Sequence, residues 1–277
     1  MAISQTRQCA VLGSPIEHSL SPVLHRAAYA ELGLGWQYSA VDVEERELPR
    51  FLRSLDASWR GLSLTMPLKR TVMPFLDDLD PWARVSGAAN TVVIGDGRLT
   101  GANTDVPGAI AAISGRAPGP FASAVVLGGG ATAASMLLAL GELGCEYARL
   151  LVRDPSRAAE TIQTVTRSEN GPVIEVGTLG DPVGAVDLVI STIPAHAQTP
   201  ELVSSADPCP VVFEVLYDPW PTPLAAAALV SGRILVSGLD LLINQAALQV
   251  TLMTGLPAPV AAMRAAGEGA LAARTTS

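Results

Sequence analysis

The segment from Ala117 to Gly141 carries no charged residue, and how that segment folds constrains everything around it. A run of this length is enough to cross a membrane as one helix. Three consecutive glycines, Gly128–Gly130, stand in its middle, and Pro118 and Pro120 near its start. A spanning helix tolerates these poorly, whereas a buried strand, a tight turn and a buried helix use them. "AVVLGGGATAAS" (Ala124–Ser135) then reads as strand, turn and helix, with Gly128-x-Gly130-x-x-Ala133 across the turn. Gly128 permits the tight turn, Gly130 lets backbone amides approach a pyrophosphate, and small Ala133 lets helix and sheet pack closely. Adjacent glycines also occur in ordinary turns, so the weight of this reading rests on the βαβ pattern around them.

That pattern runs through the chain. Before residue 105 the sequence predicts strands at Gln8–Gly13, Trp36–Val43 and Arg60–Thr65, and a hairpin over Thr91–Asn103 around Asp96–Gly97. Helices are predicted over Ser21–Gly33, Glu45–Leu55 and Pro67–Leu79. After a helix near Val106–Ser114 and a linker at Ala117–Pro120, strands and helices alternate more regularly. Helices are expected at Thr132–Leu143, Ser156–Thr166 and Pro221–Gly232, and a long amphipathic one at Leu239–Thr254. Strands that are apolar throughout and separated by helices argue for a parallel sheet covered on both faces. The tail "AARTTS" (Ala272–Ser277) reads as frayed.

Composition narrows the partners. With 277 residues, 49% of them hydrophobic, the chain can bury a large core and is comfortable as two domains. A formal net charge of −8 argues against nucleic acid or an anionic membrane, so any phosphate site must be local. Cys9, Cys145 and Cys209 are scattered and read as small buried hydrophobes. They suit a cytoplasmic chain, and "MAISQTRQCAVLG" shows no secretory apolar region. His18, His25 and His196 lack metal-ligand spacing, so no metal is expected.

The strand after the glycine turn ends in "LLVRDPSR" (Leu150–Arg157), where the ribose is recognised in such folds. A carboxylate there accepts from a 2′-hydroxyl, whereas arginine suits a 2′-phosphate. Arg153 and Arg157 flank Asp154, and two guanidiniums against one carboxylate favour NADP, with NAD as the alternative. An exposed Arg–Asp pair with no ligand is the competing reading.

Four segments of the first hundred residues are more polar than their apolar settings require: "HSLSP" (His18–Pro22), "SLTMPLK" (Ser63–Lys69), "GAANT" (Gly87–Thr91) and "GANTD" (Gly101–Asp105). Each lies at the end of a predicted element, and their hydroxyls and amides suit a small polyhydroxylated ligand. Ser21 and Pro22 read as a helix N-cap and first-turn proline, while Ser19 has no such obligation and stands beside a helix N-terminus that favours a carboxylate. Lys69 and Asp105 are the candidates for chemistry. A ketone reduced by hydride needs a proton or a positive charge at its oxygen, which an ammonium oriented by a carboxylate can supply. A helix-terminal lysine and a capping aspartate are the bland alternative.

Taken in order, "SPIEHSLSP", "TMPLK", "GAANT", "GANTD", "GGGATA", "STIP" (Ser191–Pro194), "YDPWPTPL" (Tyr217–Leu224) and "GLDLLINQA" (Gly238–Ala246) make the chain resemble the shikimate dehydrogenase family over nearly its full length. The resemblance implies an α/β chain of two lobes. A mixed α/β substrate-binding domain over residues 1–105 would be completed by 239–277, and a Rossmann-type, doubly wound NADP-binding domain would cover 106–238. It implies NADPH-dependent reduction of 3-dehydroshikimate to shikimate, in the route to chorismate and the aromatic amino acids, by a monomer or homodimer. By position, Ser19 and Ser21 match the hydroxyls that hold the substrate carboxylate. Thr65, Asn90, Thr104, Asp105 and Gln245 match groups around the ring hydroxyls, and Tyr217 the tyrosine that reaches the substrate. Lys69 and Asp105 match the catalytic pair, with Lys69 assigned the proton transfer. Gly128, Gly129, Gly130, Ala131, Arg153, Arg157, Thr192, Ile193 and Gly238 match cofactor positions. Ser63 stands where many members carry Asn, Ala131 replaces a frequent glycine, and Leu241 a common Met. "VRDPSR" departs from the usual Asn-Arg-Thr start, which keeps open an NAD-preferring quinate or aminoshikimate dehydrogenase. A non-catalytic nucleotide-binding sensor is the third reading.

Overall fold

Two six-stranded sheets organise the chain. The computed structural model describes the backbone of residues 6–275 and every side chain among them except those of Arg157 and Thr275. Residues up to Thr104, together with those from Leu242 onward, form one compact unit, and Asp105–Leu241 form the other.

The first unit carries β1 (Gln8–Gly13), α1 (Ser21–Glu31), β2 (Gln37–Asp42), α2 (Leu48–Arg53), β3 (Trp59–Leu64), α3 (Leu68–Thr71), β4 (Asp78–Leu79), α4 (Pro81–Ser86), β5 (Thr91–Gly95) and β6 (Arg98–Ala102). Its sheet runs β2-β1-β3-β5-β6-β4, with β1, β2 and β3 parallel and β5 antiparallel to both neighbours. Asp96 (φ 51°) and Gly97 (φ 72°) make the tight hairpin between β5 and β6, the left-handed pair that the Asp-Gly signal demands. Gly33 closes α1 at φ 65°, and the Leu34 amide bonds back to the Tyr29 carbonyl at 2.8 Å. Ala10, Leu12, Leu62, Leu64, Leu68 and Val92 form the heart of one buried cluster, each of its larger side chains contributing about 2 kcal/mol on burial.

Three helical expectations need correction. The helix predicted over Pro67–Leu79 stops at Thr71. Pro74 has no N–H to donate, and its ring collides with the carbonyl four residues earlier. The chain therefore passes through a 3-10 turn at Met73–Phe75 into β4. Ser21 is the first helical residue of α1, not its cap. Leu20 occupies the cap without a side-chain bond, and the Ser21 amide instead reaches the Ser19 hydroxyl at 3.3 Å. The tail is helical through Thr275 as the end of α11 (Val260–Thr275), which packs on α1, while Thr276 and Ser277 lie outside the described residues.

The second unit follows with α5 (Asp105–Arg116), β7 (Ser123–Leu127), α6 (Ala131–Glu142), β8 (Tyr147–Val152), α7 (Ala159–Val165), β9 (Val173–Thr178), β10 (Leu188–Ser191), α8 (Pro200–Ser205), β11 (Val211–Glu214), α9 (Pro223–Val230) and β12 (Ile234–Val236). The long helix α10 (Gly238–Thr254) begins in this unit and ends in the first. The sheet is wholly parallel in the order β12-β11-β10-β7-β8-β9. Strand order reverses between β7 and β10, which makes this a doubly wound, Rossmann-type sheet with its switch point there. The uncharged segment is accounted for by β7, the glycine turn and α6, and among the described residues no helix is long and apolar enough to cross a membrane. All three cysteines are buried and free, and burial pushes the Cys9 thiol up to about 11.

Candidate active site

In the first unit the chemistry-bearing segments all leave the sheet at one end. β1, β3 and β6 run the same way, so Ser14, Thr65 and Thr104 follow their carboxyl ends, while Asn90 precedes antiparallel β5 at that same end. Backbone bonds lock the segments together. The Ser14 amide donates to Met66 O (3.0 Å), Thr65 to Leu12 O (2.9 Å), Leu64 to Asn90 O (2.7 Å) and Ala89 to Lys69 O (2.8 Å). Gly13 is required by this closeness, because a Cβ there would stand 2.4 Å from the Thr65 methyl carbon. Lys69 therefore rises from α3 with its main chain tied beside the Ala88–Asn90 segment.

Asn90 is nearly fully buried and its amide is spent inside the protein. Nδ2 donates to Thr104 Oγ1 (2.9 Å) and Gln245 Oε1 (3.0 Å), while Oδ1 accepts from the Thr104 amide (2.8 Å) and the Thr91 hydroxyl (2.9 Å). Gln245, about two turns into α10, accepts with its oxygen and keeps its Nε2 amino group without a protein partner among the described residues. The hydroxyls of Ser14, Ser21 and Thr65 likewise have none. These are the groups a ligand can still use, whereas Asn90 and Thr104 hold Gln245 in place. The first-turn amides of α1 are not available. Ser21 bonds to Ser19, Pro22 has no N–H, and Val23 bonds to Leu20 O (3.0 Å), so a carboxylate here must be held by hydroxyls.

Gln249 organises the layer behind. Its Oε1 accepts from the Ser63 hydroxyl (2.8 Å), which accepts from the Tyr38 hydroxyl (2.6 Å), and Nε2 donates to Asn90 O (3.1 Å) and Thr91 Oγ1 (3.0 Å). His25 Nε2 meets the same oxygen at 3.3 Å, and its ring stacks on Tyr38 with centroids 4.0 Å apart. Burial pulls the His25 imidazole down to about 3, which keeps it neutral in this cluster. The sequence gives Gln249 no mark of its own, because a glutamine on an amphipathic helix reads as exposed face, yet it is 1% exposed.

The second unit presents its glycine turn at the switch point. Gly128 has φ 104°, its amide bonds to Leu151 O (2.8 Å), and a Cβ would lie 2.4 Å from Thr192 Oγ1. A Cβ on Gly129 would crowd Val152, and the Gly129 carbonyl accepts from Thr161 Oγ1 at 2.8 Å. Gly130 caps α6 from an extended conformation, and a Cβ there meets nothing within 4 Å. The backbone is thus pinned on two sides and open on the third, at the N-terminus of a twelve-residue helix that starts with Ala131 and buries Ala133. Thr192 lies across the switch point, its hydroxyl on Leu127 O (2.7 Å), with Ile193 buried beside it.

Arg153 leaves the end of β8 exposed and without a hydrogen bond or ion pair among the described residues. Asp154 does not stand ready for a ribose. Its Oδ1 accepts from the Ser156 amide (3.0 Å) and hydroxyl (2.7 Å), capping the 3-10 turn Pro155–Ala158. The Arg157 side chain lies outside the described residues. An open pyrophosphate cradle, a free guanidinium at Arg153 and an occupied carboxylate fit NADP better than NAD. Gly238 has a steric role, since a Cβ would sit 2.4 Å from Val215 O and 2.5 Å from Leu216 O, just before Tyr217. Asp105 opens α5 directly after Thr104 and is buried.

Such a pairing of units belongs to the dinucleotide-linked oxidoreductases that act on small polar substrates. Comparison with known proteins gives the same class and narrows it. A family described as "Shikimate dehydrogenase substrate binding domain" matches residues 11–92, and one described as "Shikimate 5'-dehydrogenase C-terminal domain" matches 238–266. A Moorella thermoacetica protein named shikimate dehydrogenase (NADP(+)) is 37% identical over 94% of this chain and 92% of its own. The Mycobacterium tuberculosis shikimate dehydrogenase structure superposes with a TM-score of 0.86 at 38% identity, covering 95% of this chain and 99% of that one. A Thermus thermophilus shikimate 5-dehydrogenase solved with NADP(H) and shikimate gives 0.83 at 30%, over 96% and 100%. The chain belongs to the shikimate dehydrogenase family.

Proposed function

We propose that the protein catalyses the NADP-dependent interconversion of 3-dehydroshikimate and shikimate. The observation that carries the reading is the set of donors in the first unit that have no protein partner among the described residues: the hydroxyls of Ser21 and Thr65 and the amino group of Gln245, which Asn90 and Thr104 hold beside the segment that ties the Lys69 main chain. A cyclohexene carboxylate with ring hydroxyls matches that donor set.

Ser19 and Ser21 hold the substrate carboxylate through their hydroxyls, the first-turn amides being already used. Thr65 and Gln245 hold the ring hydroxyls, with Asn90 and Thr104 fixing the orientation of Gln245, and Tyr217 adds a further contact to the substrate. Lys69 Nζ gives a proton to the ketone oxygen as it gains negative charge, and takes it back in the reverse direction. Asp105 is the carboxylate that orients that ammonium. Gly128–Gly130 and the N-terminus of α6 hold the pyrophosphate, and Arg153 the 2′-phosphate, with Ala131, Thr192, Ile193 and Gly238 lining the same end of the second sheet and Arg157 standing beside Arg153 in sequence. When bound, NADPH supplies the hydride.

An initial-rate matrix of shikimate and quinate against NADP⁺ and NAD⁺ tests this. Shikimate with NADP⁺ is expected to be the preferred pair, and Lys69→Ala to lower kcat by about 10²–10⁴-fold while changing KM for shikimate little. Preference for quinate or NAD⁺ would replace the substrate or cofactor, and NADPH binding with no turnover on either would make the chain a sensor.

A further inference from the structure

The interior of β11 should be apolar, and its first three residues, Val211, Val212 and Phe213, are. The fourth, Glu214, is a carboxylic acid with no exposure at all, and no cation pairs with it among the described residues. Desolvation pushes its carboxyl up from the ordinary range. A buried ionisable group of this kind costs stability, and an apolar residue of similar volume serves a core as well or better.

What Glu214 obtains is four donors from four separate places. Oε2 accepts from Gln198 Nε2 (2.6 Å) and Thr222 Oγ1 (2.7 Å), Oε1 accepts from the Leu216 amide (3.1 Å), and the Ser191 hydroxyl also bonds the carboxyl. Ser191 ends β10 and Gln198 follows its turn, with Thr192 and Ile193 between them. Leu216 immediately precedes Tyr217, and Thr222 caps α9. Gln198 is fixed in turn, since its Oε1 accepts from the Leu224 amide (2.9 Å) and its Nε2 also reaches Ser191 Oγ (3.1 Å). One side chain therefore ties the loops that follow β10 and β11, next to the switch point.

We infer that Glu214 is a positioning residue that fixes the Thr192–Gln198 and Leu216–Thr222 loops as one wall of the NADP site. The inference rests on the functional reading above for the identity of the cofactor. Glu214 touches no reacting atom. It acts through Thr192, Ile193 and Tyr217. A carboxylate is the matching group because every neighbour donates. Glutamine has the same shape but must turn an NH₂ toward either the Leu216 amide or Gln198 Nε2, and Gln198 cannot flip without losing Leu224. Exchanging the two residues restores the match. A glutamine at position 214 then donates to a glutamate at position 198 and accepts from the Leu216 amide. That glutamate in turn accepts from the Leu224 amide and the Ser191 hydroxyl.

The test is an NADPH titration by cofactor fluorescence, with melting temperatures alongside, on wild type, Glu214→Gln and the exchange Glu214→Gln/Gln198→Glu. Glu214→Gln is expected to weaken NADPH binding at least tenfold, and the exchange to return it within threefold of wild type. Unchanged NADPH affinity in Glu214→Gln, whatever its melting temperature, overturns the inference, and so does an exchange that folds without recovering affinity. Should Glu214→Gln fail to fold, Ser191→Ala is read the same way, with a threefold weakening expected and no change refuting. A wild type that binds NADPH without oxidising shikimate would sink the functional reading and leave this result intact.

Discussion

Lowering the pH from 7 to 5 perturbs one side chain of the first unit far more than its neighbours. His25 is fully buried in a stack with Tyr38, edge-on to Tyr29 at 5.9 Å, and bonded to Gln249. Its imidazole titrates near 6.5 when unfolded and near 3 when folded, because burial disfavours the cation. Between those values the unfolded chain binds the extra proton, so stability rises with pH up to about 6.5 and is lost as the solution is acidified toward 3. Each tenfold difference in proton affinity between the two states corresponds to about 1.4 kcal/mol, and integration gives a loss of about 2 kcal/mol at pH 5 and about 3 at pH 4, relative to pH 7. The groups facing His25 add nothing in this window. Gln249 is neutral, and burial moves the Tyr29 and Tyr38 hydroxyls and the Cys9 thiol upward, away from it.

Urea unfolding between pH 7.5 and 5, followed by tryptophan fluorescence, measures the effect, since Trp36 packs on Tyr29 in the same cluster. His25→Phe keeps a ring against Tyr38 and gives up the bond to Gln249, for about 1 kcal/mol at pH 7. Its stability should then fall less on acidification, so that the wild-type advantage shrinks or reverses by pH 5. The difference between the two slopes removes the contribution of every group that the two proteins share. Parallel curves for wild type and His25→Phe over that range would refute the assignment of acid sensitivity to this residue.

Three further substitutions separate the parts of the cofactor site. Gly128→Ala forces a positive φ on alanine and a Cβ into Thr192 Oγ1, so it should cost about 1–3 kcal/mol in thermal unfolding and abolish measurable NADPH binding. Gly130→Ala meets no protein atom and should melt with wild type while binding NADPH at least tenfold more weakly by fluorescence titration, and equal melting losses in the two variants would contradict this division of roles. Arg153→Ala should raise KM for NADP⁺ about 10–100-fold, the worth of a charge-assisted phosphate contact, and leave KM for NAD⁺ unchanged; an equal rise for both would remove Arg153 from phosphate recognition.

What the sequence makes legible follows from how local the physics is. The glycine turn, the Asp96–Gly97 hairpin and the polar ends of β1, β3 and β6 are short-range signals, each needing a few consecutive residues to specify a backbone conformation or a donor. The α4 and α8 helices carry local signals too, Asp80 capping Ala83 N at 2.6 Å before Pro81 and Thr199 capping Leu202 N at 3.3 Å before Pro200, but each spans only six residues, too few for a period to show. The sequence assigns the cap of α1 to Ser21, whereas the hydroxyl that accepts a first-turn amide is that of Ser19. The polar residues behind the site are of another kind. Gln249 meets Thr91 and Ser63 across 158 and 186 residues of chain, and Glu214 draws its donors from segments on both sides of it. No window of sequence contains both halves of the Gln249 contacts, and the Glu214 donors Leu216, Thr222 and Gln198, 2 to 16 residues away, carry no pattern that names a carboxylate as their centre. Asn90 and Thr104, which fix Gln245, stand inside motifs, whereas Gln249 and Glu214 belong to none of the motifs that mark the site. A buried glutamine on α10 and a buried glutamate on β11 are unfavourable choices for packing alone, and their hydrogen-bond partners explain why they stand there.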